Sequence, residues 1–492
     1  MASYRVAKFG ARNTDTRMAA QQGDNVDDLP GLSVILARHV HSVRWNDLPE
    51  KAVVAAKASI IDAIGVMHAA SGLGEGCEAF AQLAQDFGGN GPSTVIGWNF
   101  HTSPMMAAFA NGAMAHALDF EDTHDATLVH PHAATVPAGL ATAEYVGGVT
   151  GRDFVTAIAV GADLSCRLAL GLVESVEKRG FYFIPMLSAY GAAATAAKLL
   201  GLSEKEIVQS FALASCQSVF SDALVSYPPS HLRAIRDGFS AKAGVTAALL
   251  AQRGVEAFDR PIEGPGGLYA NFANGQCDET RMLCDLGAVF EGVNVSSKPW
   301  PSCRGTHAFV EAALSIARET KFSINQIERI DVKISPFFSI LCEPLAQKRR
   351  PKTAIDAKFS VPFTVAVALA RGNVTLEDFL PGKLDDPRLH ALADRVFHEV
   401  EVTWPHEQST RGALTITLAD RRAFSRDIRE PFGHPLNPMD SGAVIRKFVV
   451  CLASARNPVG AGATQEMAAR LGAIEQVADM RDIFAEKRQS TA

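Results

Sequence analysis

Asn111-Gly-Ala-Met-Ala-His-Ala-Leu-Asp-Phe-Glu-Asp-Thr-His-Asp-Ala-Thr-Leu-Val-His-Pro-His132 joins a run of small and apolar residues to a crowd of acids and imidazoles. Asn111 to Phe120 offers no solvent face, which predicts a buried helix. Asp119 at its end is costly to bury alone, so it needs a partner or a chemical role. His130 precedes Pro131 and is biased to an extended conformation at a helix break.

Outward from this stretch, helix follows helix. Ala52–Ser71, Met105–Leu118, Thr135–Val146, Asp153–Leu170, Gly191–Leu200, Glu204–Ser215 and Ala241–Gln252 all carry apolar spacing near 3.6. Their small residues let helices approach closely, and no alternating pattern interrupts them, so residues 31–290 are expected to form an all-helical domain after a flexible extension over 1–30. After Gly264-Pro-Gly-Gly267 the period changes to two at Ile330/Val332/Ile334, Val400/Val402/Trp404 and Leu414/Ile416/Leu418, with a fourth strand expected after Asp420-Arg-Arg422. Helical stretches at Thr306–Arg318 and Phe359–Arg371 complete a small α+β domain over 295–430. Helices at Ser441–Ala453 and Thr464–Leu471 place 431–492 back on the first domain. The fold class is mainly α.

A chain of 492 residues exceeds the roughly 250–300 at which a single core stops growing, so two domains are expected. A net charge of −6 without a Lys/Arg run argues against nucleic acid as a partner. No uncharged apolar run reaches the roughly 18 residues of a membrane span, and no secretory leader opens the chain, so a soluble cytoplasmic protein is expected. The eight cysteines show no paired or zinc-ligand spacing and read as reduced core residues. The histidines at 116, 124, 130 and 132 match no metal motif, so no metal is expected.

His116-Ala-Leu-Asp119-Phe-Glu-Asp-Thr123-His, His130-Pro131, Lys298-Pro-Trp-Pro-Ser-Cys303 with His307, Ala357-Lys-Phe-Ser360 and Gly433-His-Pro-Leu-Asn-Pro438 follow one another in an order that resembles the MmgE/PrpD family. That family contains 2-methylcitrate dehydratases, cis-aconitate decarboxylases and an iminodisuccinate epimerase. The resemblance spans about residues 32 to 475. It implies a large helical domain with a smaller lid domain, a homodimer, and a cofactor-independent site between the domains. Asp119, Thr123, His130 and Lys298 match the family's site residues. Tyr182 stands where the family has a loop histidine, Arg233 where it has a lysine, Arg236 where it has a histidine, and Phe363 where it has a lid tyrosine.

Similar enzymes act on small di- or tricarboxylates by making or quenching a carbanion beside a carboxylate, which demands a base, cations on the carboxylate and a dry pocket. Asp119 or His130 is the candidate base. Lys298, Arg233 and Arg236 are candidate anion holders; an arginine presents a planar fork but shuttles no proton at neutral pH. Thr123 is a candidate to donate to a carboxylate oxygen or to orient a leaving hydroxyl, and His130 or Tyr182 to protonate that hydroxyl. These residues point to a lyase that dehydrates or decarboxylates a small polycarboxylate. An epimerase working through the same carbanion and a non-catalytic carboxylate binder are the alternatives. Blander readings compete at each position: His116, His124 and His132 as satisfied structural histidines, Tyr182 as packing, the two arginines as surface charge, and Cys303 as an inert thiol.

Overall fold

The computed structural model describes residues 30–174, 176–226 and 230–484. The extension expected over residues 1–30 therefore lies outside the described residues, Pro30 excepted. The described residues are mainly helical, with two large apolar cores and a small third cluster around Tyr182.

The first core is a stack of helices whose packing faces are unusually small. Pro131–Val146, Gly151–Leu170, Phe183–Leu199 and Asp237–Gln252 pack on one another and on Pro104–His116. Gly161 and Gly191 show why small residues are needed: a Cβ at Gly161 would meet Thr195 Oγ1 at 1.9 Å, and one at Gly191 would meet Ser165 Oγ at 1.9 Å. Two helices cross there with backbones almost touching. Phe183–Leu199 begins two turns before the apolar spacing at Gly191 predicts, because its first residues are buried on nearly every side and show no stripe. Glu50–Leu73 is long and apolar enough to cross a membrane, but most of it is buried in this core. Ser441–Ala453 lies against it, and Lys447 Nζ meets Asp62 Oδ1 at 2.6 Å.

The second core lies under a four-stranded sheet ordered Val396–Val400, Ile327–Ile334, Gly412–Leu418, Ala423–Ile428. The first pair is parallel and the others antiparallel. The alternation at Val400/Val402/Trp404 misplaces one strand. It runs earlier, over Val396–Val400, and Val402 is an exposed turn residue. His307–Glu319 and Val361–Arg371 cover the sheet's buried face.

Two short strand pairs break the helical run. Ser93–Val95 pairs with Phe100–Thr102, and Thr123–His124 pairs with Val295–Ser296. The second pair matters for the site, since it ties the acidic stretch to the segment just before Lys298. Gly433, at φ 92, closes the same junction: its carbonyl accepts from Ser297 N at 3.0 Å, and a Cβ there would meet the Ser297 oxygen at 2.0 Å. Only glycine allows that approach. All eight cysteines are free; Cys216 and Cys284 are exposed rather than in a core.

Candidate active site

Beyond His116 the helix stops, and Asp119 sits at φ 50 with its N–H donating to the His116 carbonyl at 2.9 Å. A left-handed aspartate is uncommon and reverses the chain, so that Asp119 and Glu121 both turn inward. Lys298, fully buried, donates to Asp119 Oδ1 at 2.6 Å and to the Asp119 carbonyl at 3.2 Å, with Glu121 Oε1 3.8 Å away. An ammonium has three donors, so one remains for another acceptor.

Glu121 is the hub. Its Oε1 receives His116 Nδ1 at 2.5 Å and lies 2.8 Å from His130 Nδ1. His130 Nδ1 also faces the Asp122 carbonyl at 2.9 Å and Thr123 Oγ1 at 3.2 Å. A nitrogen ringed by acceptors carries the proton, which leaves Nε2 as the basic atom, and Nε2 has no hydrogen-bond partner among the described residues. His116 has its proton on the same ring nitrogen but leaves none open: Nδ1 donates to Glu121 while Nε2 accepts from the Arg236 guanidinium. Burial and Arg236 hold the His116 imidazole below its ordinary value, consistent with that neutral form.

Burial opposes ionisation of Glu121, but His116, Lys298 and His130 outweigh it and keep its carboxyl well below the carboxylate range. Burial likewise works against Asp119, and Lys298 pulls its carboxyl below the ordinary value. Lys298 loses by burial and gains more from Asp119 and Glu121, so it stays charged. Burial pushes the Tyr182 phenol up against the pull of Arg236 and Arg233, so it keeps its proton.

A cavity of about 570 Å³ opens onto these groups. Asp119, Thr123, His130, Tyr182, Arg233, Arg236 and Lys298 all line it. Arg233 and Arg236 reach it from Leu232–Ile235 and the turn into Asp237–Gln252. The Arg233 guanidinium lies 3.8 Å over the Phe359 ring, and that of Arg236 lies 5.2 Å from the Tyr182 ring. Phe363 does not line the cavity. It is buried in the sheet core against Phe379, and Phe359, one turn earlier, takes the wall position.

Three groups were undervalued from sequence. His116 lines the cavity and orients Arg236 rather than merely filling the core. Glu121 holds both histidines. Lys358 is buried behind the site, donates to the Leu118 carbonyl at 2.8 Å, and is lowered to about 8 by burial. Cys303 lines the cavity, but burial and Asp119 push its thiol up to about 11, and His307 contacts the Ser302 carbonyl instead of serving it as a base. Arg304 is spent on Asp125, Phe432 and Pro431. His132 and His124 pair with Asp122 and Glu291 away from the cavity wall.

Among the described residues, His116, Asp119, Glu121 and His130 offer donor atoms within 4.8 Å of one another, close enough to hold a metal ion. Linear spacing does not reveal that grouping. Lys298 contacts one member of the group, Asp119, and Arg236 another, His116.

Residues 34–280 match the MmgE/PrpD N-terminal domain and residues 300–472 the MmgE/PrpD C-terminal domain. The chain is 27% identical over 439 residues to a cis-aconitate decarboxylase of Mus musculus, covering 85% of this chain and 86% of that protein. It is 27% identical to the cis-aconitate decarboxylase-like protein oryM of Aspergillus oryzae, covering 73% and 78%. A 2-methylcitrate dehydratase of Escherichia coli is 24% identical, covering 74% and 79%.

Proposed function

The chain belongs to the MmgE/PrpD family, and on that premise we propose that it is a lyase acting on a small di- or tricarboxylate by removing a proton beside a carboxylate. One observation carries the reading: a histidine with one ring nitrogen anchored and the other open shares a cavity with Lys298, Arg233 and Arg236. His130 Nε2 is the base. Asp119 is paired with Lys298, which holds its carboxyl below the ordinary value and makes it the weaker base.

Arg236 and the spare donor of Lys298 hold the carboxylate next to the reacting carbon, where charge grows as the proton leaves. Arg233 takes a second carboxylate. Glu121 keeps the His130 proton on Nδ1 and stabilises the imidazolium that forms. Tyr182, still protonated, is the acid for a departing hydroxyl, with Thr123 orienting it. Loss of CO₂ instead of water needs the same cations to steady the carbanion and the same phenol to quench it. The sheet unit acts as the lid that keeps water out.

Incubation with a panel of citrate-like, aconitate-like and substituted succinic acids tests this. Formation of an alkene acid or release of CO₂, lost in His130→Asn, is the expected result. Solvent deuterium uptake into recovered acid with no elimination would replace the lyase by an epimerase. Binding without any reaction would leave a carboxylate-binding protein.

A further inference from the structure

Glu121 uses its two oxygens unequally. Oε1 takes His116 Nδ1 at 2.5 Å and stands 2.8 Å from His130 Nδ1, while Oε2, buried beside it, has no hydrogen-bond partner among the described residues. Two imidazoles crowd one atom although its twin is unused. Their rings meet edge to face with centroids 4.8 Å apart, so both donors are held against the same oxygen.

The other nitrogen of His116 has a different task. Nε2 accepts from Arg236 Nη1, which also donates to the Arg233 carbonyl. With Nη1 taken twice, and Nε facing Asp237 Oδ2 at 3.6 Å without a hydrogen bond, Arg236 keeps Nη2 for a ligand in the cavity it lines. His116 thus touches the base through Glu121 and an anion holder through Arg236. An N–H on a carboxylate draws on the same negative charge that steadies a neighbouring imidazolium. The remaining charges are few: Lys298 lies 3.8 Å from Glu121 Oε1 and 2.6 Å from Asp119, and Asp237 Oδ2 lies 3.9 Å from His116 Nδ1. At that distance Asp237 does not replace Glu121 as the acceptor.

We infer that His116 is a positioning residue with two separable effects. Its Nδ1 proton, donated to the oxygen that His130 shares, loosens the hold of Glu121 on the His130 imidazolium and so keeps His130 Nε2 open as the base. Its Nε2 turns Arg236 toward the carboxylate. This rests on the base and the carboxylate site proposed above.

Two amides divide the effects. His116→Asn puts an amide nitrogen where Nδ1 stands and keeps the donation to Glu121, but has no atom at the Nε2 position. His116→Gln reaches the Nε2 position and keeps an acceptor for Arg236, but gives up Nδ1. With the full chain labelled with ¹³C at the histidine rings, NMR reads the titration midpoint of His130, whose signal is the one absent from His130→Asn. Calorimetry with propane-1,2,3-tricarboxylate, which has nothing to eliminate, reads the carboxylate site. In His116→Gln the midpoint should rise by about one pH unit, since Glu121 then acts on His130 alone, with Kd within about twofold of wild type. In His116→Asn the midpoint should hold while Kd rises on the order of tenfold, the loss of one hydrogen bond from a charged donor. A midpoint that moves equally in both variants, or in neither, overturns the sharing at Oε1, and an unchanged Kd in His116→Asn overturns the link to Arg236. Ring ¹⁵N shifts of the unsubstituted chain test the same bonds should an amide variant not fold: both rings must carry their proton on Nδ1, and an Nε2–H form of either overturns the sharing. If the wild-type chain binds no tricarboxylate, the carboxylate site falls and the link to Arg236 with it, while the His130 midpoint still decides the sharing.

Discussion

The charges around Arg167 are buried as deeply as those around Lys298, and the two sets differ in whether their hydrogen bonds close. Arg167 Nε donates to both Asp163 oxygens at 3.0 and 2.9 Å, and its other nitrogens meet the carbonyls of Met282, Cys284 and Val289. Asp163 also takes His39 Nε2 at 3.0 Å and the Glu291 N–H at 2.7 Å. Around Lys298, by contrast, Asp119 Oδ2, Glu121 Oε2, Arg236 Nε and both Asp237 oxygens lack a hydrogen-bond partner. A closed set ties helices together. An open one, beside a cavity, has hydrogen-bonding capacity that holding the fold together does not use.

The largest effect should come from the open set. His130→Asn keeps an amide donor near Glu121 but removes the second ring nitrogen, so turnover should drop on the order of 10²–10⁴-fold with the thermal midpoint barely moved. Steady-state kinetics beside a melting curve check both halves; near-normal turnover would remove the base from the mechanism. Arg167→Met reverses the pattern. It strands Asp163 in the helical core and should cost about 3–5 kcal/mol of a total of ~5–15, read as a shift in urea midpoint. The folded fraction should keep its specific activity. An unchanged midpoint would show that closure contributes little here.

That contrast was half legible in the sequence. The helices announce themselves where one face is exposed, as at Glu204–Ser215, and blur where burial is all round, as in the first turns of Phe183–Leu199. The weak edge strand Val396–Val400 was displaced toward Val402 because alternation alone cannot tell a strand from the turn that follows it. In the site, Asp119, His130 and Lys298 stood out by their motifs. Glu121 did not, since which of Glu121, Asp122 and Asp125 turns inward depends on the left-handed step at Asp119, which no residue pattern encodes. Phe363, on the helix that begins at Val361, is buried in the sheet core, whereas Phe359, in the break before that helix, lies in the cavity wall, a difference that no spacing in the sequence shows.

Asp62 and Lys447 fall between the two extremes. The pair is 2.6 Å apart and Lys447 also donates to the Phe120 carbonyl, yet Asp62 Oδ2 has no partner. Burial, only partly offset by Lys447, raises the Asp62 carboxyl from 3.8 to about 6. A raised folded-state value means that this group's stabilisation is complete below about pH 4 and is lost as pH rises through about 6. Two units correspond to about 3 kcal/mol. Asp62→Asn does not titrate, so its stability relative to wild type should rise by about that much between pH 4 and pH 7 in urea unfolding. A gap that stays constant or narrows would mean that the pair is closed after all.

Cys303 gives the smallest and sharpest contrast, because it lines the cavity without belonging to the open ionic set. Burial and Asp119 push its thiol up to about 11, so at neutral pH it is an uncharged, weakly reactive group beside charged neighbours. If unfilled ionic valence rather than position marks the working residues, Cys303→Ser should leave kcat within about twofold, the ~0.5 kcal/mol scale of a mild substitution. Alkylation by iodoacetamide should be slow at pH 7 and accelerate only well into the alkaline range. Fast modification at neutral pH, together with a large fall in kcat for the serine variant, would make the thiol a participant and break the rule drawn from Arg167 and Lys298.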